Sequence, residues 1–416
     1  MLTTDAAEAC GMNNALDDFD RWIRTDFVAL NTRLEEAYFA AGTHILRGVT
    51  ELEELKEKLA REGAERVRRI AVAGAVAGAD AGAEGGGRAV PGDPHARYEL
   101  LGSVGLYLGA CRRHEIDGPQ SSAWPLASSL AASLGVAPRF VFAHQALFNQ
   151  AIGDRFRTFT LLDDERDFIV YNGLSVLAYQ RTAAALRRIP TLGVSSPLAA
   201  FLLREAHAGL DDVMDFGRTL SKNLGVDRFF LTIRPYFKPY RVGGAEYRGA
   251  NAGDFAAINE IDVLLGLCSP NDPFYQGVLT EKYPYVPPED QAVLRATVLV
   301  EPLLAAFLRE TARGPVTAQL RENAELFLAV CRRHGAVSAF HHHRLVAPFL
   351  QVPAARAPQE EHADLTASGP PLDVVVAHLA RLVDLRSAKP RCGAFGARSS
   401  LDRLREALAR AGTTLT

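Results

Sequence analysis

Cysteine is scarce in this 416-residue sequence: Cys10, Cys111, Cys268, Cys331 and Cys392 are the only five. They are odd in number, widely scattered and lack Cys-x-x-Cys spacing, which argues against a disulfide framework and a structural zinc site and fits a reducing compartment. Excess charge is also missing, since 46 Lys+Arg against 49 Asp+Glu leave a net charge of -3. No global basic field draws such a chain onto nucleic acid. No apolar run reaches the roughly 18 residues of a membrane span, and Met1 to Asp20 has neither a basic nor an apolar leader region. These absences predict a soluble, cytoplasmic protein with neither nucleic acid nor membrane as partner. The P-loop, the Rossmann glycine fingerprint, His-Glu-x-x-His and the Gly-x-Ser-x-Gly elbow are all absent, which removes most common enzyme signatures.

Alternating β patterns are nearly absent too, so the fold class is read as all-α. From Leu16 to Ile70, Phe19, Ile23, Phe27, Leu30, Leu34 and Ala37 recur at helical spacing and predict two or three helices. Residues 73–95 shift to alanine and glycine and read as a flexible linker. Helices are then expected over 98–111, 126–134, 141–151, 167–189, 198–224, 254–267, 288–310, 318–347, 373–387 and 399–411, punctuated by turn signals such as Gly102 to Gly105, Pro190 and Gly314-Pro315.

Three clusters carry candidate chemistry. His341-His342-His343 lies in a helical pattern, where successive side chains point about 100° apart, so one imidazole at most serves a given ligand. The face of His342 carries Gly335, Ser338 and Ala339 before it and Leu345, Val346 and Phe349 after it, which suits a flat macrocycle with His342 as axial ligand. On these residues alone the same histidines also read as solvated or capping groups near a helix end weakened by Pro348. In Phe229-Phe230-Leu231-Thr232-Ile233-Arg234-Pro235, one guanidinium beside aromatic rings suits capture of a carboxylate on an aromatic ligand, or else sits in an internal ion pair. Small residues in Tyr247-Arg248-Gly249-Ala250-Asn251-Ala252-Gly253 precede a helix expected from Asp254 and allow backbone to approach a planar or anionic group, though a tight loop explains them as well.

Taken in order, these clusters resemble the indoleamine and tryptophan dioxygenase superfamily of haem proteins. The spacing from Phe229-Phe230 to Arg234 is similar to that family's substrate pocket. Asn251-Ala252-Gly253 followed by Asp262-Val263-Leu264-Leu265-Gly266 resembles its Ser-Ala-Gly segment and Asp-Val-Leu-Leu-Gly helix. Tyr285-Val286-Pro287-Pro288 and His342-His343-Arg344-Leu345-Val346 match in turn, and Asp164 to Val170 is similar to the distal-pocket helix. At the distal position this chain has Tyr171 and Asn172, or Ser175 with a shift of one turn, and Ser368-Gly369 followed by Pro370-Pro371 stands where the family has a glycine-rich loop. The likeness runs from Trp124 to Leu350, more loosely over 366–387, and leaves the N-terminal 95 residues outside. The run from Arg234 to Gly243 and that from Glu246 to Phe255 most resemble the monodechloroaminopyrrolnitrin synthase branch.

That resemblance implies an all-α helical bundle of the indoleamine dioxygenase type with a smaller helical N-terminal part. The implied division is an N-terminal arm (1–72), a linker (73–95), a small helical part with the distal helix (96–195), a haem-binding domain (196–350), a lid-like loop (351–371) and C-terminal helices (372–416). It implies haem b with His342 on iron and Ala250, Asn251, Ala252, Gly253, Ser338, Ala339 and Val346 against the macrocycle. Phe168, Tyr171, Asn172, Phe229, Phe230, Arg234, Ser368 and Gly369 would line the substrate site. The implied activity is a haem-dependent oxygenase that uses O2 on tryptophan or a substituted tryptophan in secondary metabolism, by oxygenation or ring rearrangement. The alternatives are a haem-dependent tyrosine hydroxylase and a non-catalytic haem-binding or sensing protein. A homodimer is compatible with the sequence.

Overall fold

The computed structural model describes residues 4–79, 92–356 and 372–413. In chain order its helices are α1 (Thr4–Trp22), α2 (Val28–Ala40), α3 (Thr50–Ala79), α4 (Pro94–Arg113), α5 (Trp124–Leu134), α6 (Phe142–Ala146), α7 (Asp163–Leu192), α8 (Pro197–Asn223), α9 (Val226–Arg228) and α10 (Ala256–Leu265). They continue as α11 (Pro273–Lys282), α12 (Pro288–Thr297), α13 (Leu303–Arg313), α14 (Ala318–His341), α15 (Val352–Arg356), α16 (Leu372–Arg386) and α17 (Arg398–Thr413). Among the described residues the one sheet is an antiparallel hairpin of β1 (Tyr240–Val242) and β2 (Ala245–Tyr247), with Tyr240 opposite Tyr247. The fold is all-α. Among the described residues three stretches wind at the wider π pitch, Ile23–Phe27, Phe229–Ile233 and His342–Gln351.

Local chemistry explains several helix starts. The Asp93 carboxylate accepts from the backbone N–H of His95 (3.3 Å) and Ala96 (3.1 Å), with Pro94 at the first helical position of α4. Asp272 and Pro273 repeat the device on α11, and the Thr317 hydroxyl caps α14 by accepting from Leu320 N–H at 3.1 Å.

The described chain divides into two compact units. One takes residues 4–170, 224–254 and 353–356; the other takes 171–223, 255–352 and 372–413. In the first, the Trp22 indole N–H donates to Glu62 at 2.8 Å and the Tyr107 hydroxyl to the Ala60 carbonyl at 2.9 Å, so α1, α3 and α4 share one core. In the second, α8 packs along α14, where the Asn323 amide donates to the carbonyls of Val194 (2.7 Å) and Ser196 (2.8 Å). A second core, around Ala256, Val263, Cys268, Tyr275, Leu279, Leu294 and Leu385, joins α10, α11, α12 and α16.

Several expectations shift. Gly102 and Gly105 lie inside α4, where they let α4 approach its neighbours: a Cβ on Gly105 would stand 2.4 Å from the Phe140 backbone nitrogen. Pro190 sits inside α7 rather than in a turn. The alanine-rich residues 73–79, read as linker, continue α3, as the best helix former should; residues 80–91 lie outside the described residues. The helix expected over 141–151 is only α6, and the one over 288–310 is α12 and α13, separated at Glu301-Pro302. Of the expected loop 351–371, residues 352–356 are helical and the remainder, with Ser368 and Gly369, lies outside the described residues.

Candidate active site

The first unit holds the aromatic and arginine cluster. Just before α7, the chain turns so that the Thr158–Leu162 loop meets Glu165, whose buried carboxylate accepts from Phe159 N–H (2.8 Å), Thr160 N–H (2.7 Å) and the Thr160 hydroxyl (2.6 Å). Burial pushes that carboxyl up to about 7, against the pull of those donors. This anchor sets the first turns of α7 and so the position of Phe168. The Phe168 ring lies 5.1 Å from Phe229, 5.8 Å from Phe237 and 6.4 Å from Phe142, and all four are buried. These rings form a continuous aromatic wall.

The π turn from Phe229 to Ile233 separates the two phenylalanines. Its closing bond runs from Arg234 N–H to the Phe229 carbonyl, and the ring of Phe230 turns away from the wall toward His44, 5.8 Å off. The Arg234 guanidinium carbon is 5.7 Å from the Phe230 ring centre. Arg234 is 8% exposed, and burial draws its pKa down to about 10, so it remains a cation at neutral pH. Beneath the turn, Arg113 pairs bidentately with Glu35 (2.7 and 2.7 Å) and also donates to the Leu231 carbonyl at 3.2 Å. That brace was not visible in the sequence, because Glu35 and Arg113 lie 78 residues apart and neither stands in a motif.

The 247–254 segment of the same unit is held by its own groups. Arg248 pairs bidentately with the buried Asp254 (2.9 and 2.9 Å), which also accepts from Asn251 N–H at 3.1 Å. The Asn251 side chain accepts from Gly253 N–H at 2.9 Å, while Ala250 is buried and Ala252 and Gly253 are partly exposed. The following helix starts at Ala256, not Asp254, because Asp254 is occupied in this loop.

In the second unit α14 changes pitch at the histidines, and the π segment from His342 to Gln351 contains Pro348. Proline lacks the N–H that an α-helix would need there, and π segments occur frequently at functional sites. The three imidazoles are unlike: His341 and His343 present exposed surface, although burial still draws the His341 pKa down to about 4, whereas His342 is partly buried and its Nδ1 is buried with no hydrogen-bond partner. Val346 and Phe349 beyond it are buried. Of the small residues on its face, Gly335 and Ser338 are already used: a Cβ on Gly335 would be 2.9 Å from the Arg386 carbonyl, and the Ser338 hydroxyl accepts from Arg386 at 3.5 Å. Helix α16 therefore covers that end, and Ala339 remains as the small residue beside His342. Tyr171 and Asn172 are partly exposed on α7, and the Ser175 hydroxyl is engaged with the Tyr171 carbonyl at 2.7 Å.

One buried network holds α14 in place. The Asp262 carboxylate accepts from His334 Nε2 (2.7 Å), from Arg386 Nε and Nη2 (both 2.8 Å) and from the Tyr275 hydroxyl (2.9 Å). Burial alone would push this carboxyl up, but Arg386 and His334 outweigh it and hold the group well below the usual range. Only its first member stood in a sequence motif.

A family profile described as monodechloroaminopyrrolnitrin synthase PrnB matches residues 13–408. The chain belongs to this family. The match spans both units and includes most of the N-terminal helices, which the resemblance alone had left outside. Members of the PrnB family are haem-dependent oxygenases that modify tryptophan in secondary metabolism, and this chain is accordingly an oxidoreductase. A non-catalytic haem carrier is thereby set aside. No helix among the described residues is long and apolar enough to cross a membrane. The residues present suit a haem: a single partly buried imidazole with a partnerless buried nitrogen opens a π segment whose other buried members are the apolar Val346 and Phe349.

Proposed function

We propose that this PrnB-family member holds haem b through His342 and acts with O2 on tryptophan or a ring-substituted tryptophan, whose carboxylate pairs with Arg234 and whose ring packs on Phe168 and Phe229. The observation that carries this reading is Arg234 itself: a buried guanidinium, cationic at neutral pH, placed by a π turn directly after an aromatic wall. A charge in low dielectric binds an anion far more strongly than one in water, and the planar fork matches a carboxylate. Haem, when bound, supplies the oxygen chemistry. The chain's share is orientation and the exclusion of water, by the rings on one side and the guanidinium on the other.

Among the described residues, neither His144 nor Asn172 is suited to remove a proton from the substrate. His144 on α6 is buried, and burial together with Arg157 and Arg139 pulls its pKa down to about 3. Its Nδ1 accepts from Val141 N–H at 3.0 Å, so the neutral ring carries its proton on Nε2 and has no lone pair left to act as a base. The amide of Asn172 does not titrate.

The test is a titration of the haem-loaded protein with tryptophan, tyrosine and tryptamine, followed by O2 addition and mass analysis of the products. Tryptophan or a ring-substituted tryptophan should shift the haem spectrum and be converted, and tryptamine, which lacks the carboxylate, should bind at least tenfold more weakly. Preferential conversion of tyrosine would favour the hydroxylase alternative, and equal binding of tryptamine would remove Arg234 from the substrate site.

A further inference from the structure

Gln145 is 2% exposed, and both Oε1 and Nε2 of its side chain are buried without a hydrogen-bond partner. A buried amide left in that condition is destabilising, and a native fold retains one chiefly where something else completes it. The residue sits on α6, whose two sides face different surroundings. His144 turns toward α4: its ring is 4.2 Å from Tyr98, and a Cβ on Gly102 would meet it at 2.9 Å. Phe142, three residues before Gln145 and so on the same side of the helix, turns toward α7 and meets Phe168 edge-on at 6.4 Å. Phe168 in turn packs on Phe229. Gln145 thus places an uncharged, unpaired carboxamide on the side of α6 that faces the aromatic wall.

We propose that Gln145 is a specificity-determining residue that reads the ring nitrogen of the substrate, its Oε1 accepting the hydrogen bond from the N–H of an aromatic heterocycle such as indole. This inference rests on the substrate reading above and goes beyond it by assigning recognition of the heteroatom to a residue apart from the carboxylate clamp. The chemistry fits the group. A carboxamide does not titrate, it accepts from a neutral N–H at any physiological pH, and it leaves Nε2 for a water or a lone pair on a ring substituent. A site built to hydrogen-bond a substrate N–H also rejects the analogue that lacks it, because its own polar atom is then left unpaired. The phenylalanines of the wall cannot make that distinction. They bind any flat ring.

The experiment uses the haem-loaded full chain, with tryptophan and its benzothiophene isostere, in which sulfur replaces the ring N–H, as probes; tryptamine reports the carboxylate clamp separately. Dissociation constants are read from the ligand-induced change in the haem spectrum and by calorimetry. The parent should bind tryptophan about ten- to a hundredfold more tightly than the isostere. Gln145→Leu, close in volume and apolar, should bring that ratio to within about twofold of one, chiefly by weakening tryptophan, while the ratio of tryptophan to tryptamine persists. Gln145→Met serves the same purpose if the leucine variant does not accumulate as folded protein. A tryptophan-to-isostere ratio unchanged in these variants would overturn the assignment and leave the amide to buried water. A parent that binds no aromatic amino acid would overturn the substrate reading and this inference with it, an outcome distinct from an unchanged ratio.

Discussion

Replacing His342 by alanine is expected to abolish stoichiometric haem loading, whereas His341→Ala and His343→Ala should keep most of it. The three differ in surroundings rather than in chemistry: of them, only His342 has a buried nitrogen lacking a partner. Absorbance in the Soret region of the purified variants decides it, and loss of the band in His343→Ala alone would move the ligand by one position. Arg234→Ala should leave haem loading intact and weaken tryptophan binding about ten- to a hundredfold, the worth of a charge-assisted contact. If that variant unfolds, or binds tryptophan like the parent, Arg234 is a structural cation. Both candidates could be picked out in the sequence because each stands in a local pattern. The divergence of Phe229 from Phe230 could not, since adjacent residues separate according to a π pitch that the sequence does not announce.

The long helices could be read from their apolar period, and the misreadings have physical causes. The helix at 141–151 stops after Ala146, where the chain turns toward the pair Asn149 and Arg157, joined by two hydrogen bonds of 2.8 and 2.9 Å. The hairpin went unread because strands of three residues carry too little pattern, and helix α11 because its start at Asp272-Pro273 reads as a turn. Glycines in α4 that resemble turn signals mark close packing instead, and Gly105→Ala should destabilise the fold by about 1–3 kcal/mol through overpacking against Phe140, measurable by urea unfolding. The network that fixes α14 could not be read at all, because Asp262 and Arg386 are 124 residues apart. Removing its centre by Asp262→Ala strands the buried Arg386 charge and should cost about 3–5 kcal/mol. A loss below about 1 kcal/mol in the same measurement would mean that Arg386 finds another partner, and that α14 does not depend on the network for its position.

For the whole molecule, the buried histidines couple folding to pH. Burial lowers the pKa of His114, His144 and His334 alike, so below their ordinary value near 6.5 the unfolded chain takes up protons that the folded chain refuses. Stability from these groups is therefore full above that value and declines as pH falls through it. The raised carboxyl of Glu165, at about 7, works in the opposite sense, because there the folded state binds the extra proton. The total slope mixes these contributions, but a single substitution isolates one of them. His144→Asn offers an amide oxygen to Val141 N–H in place of Nδ1 and cannot titrate. Between about pH 7.5 and 5.5 the parent should lose about 1.4 kcal/mol more stability than this variant, as expected for one group that titrates only in the unfolded chain. Urea unfolding of both proteins at the two pH values measures the difference. Parallel losses would show that His144 takes up its proton in the folded state as well, and a titrating imidazole on α6 would then be available as the base that the present geometry denies it.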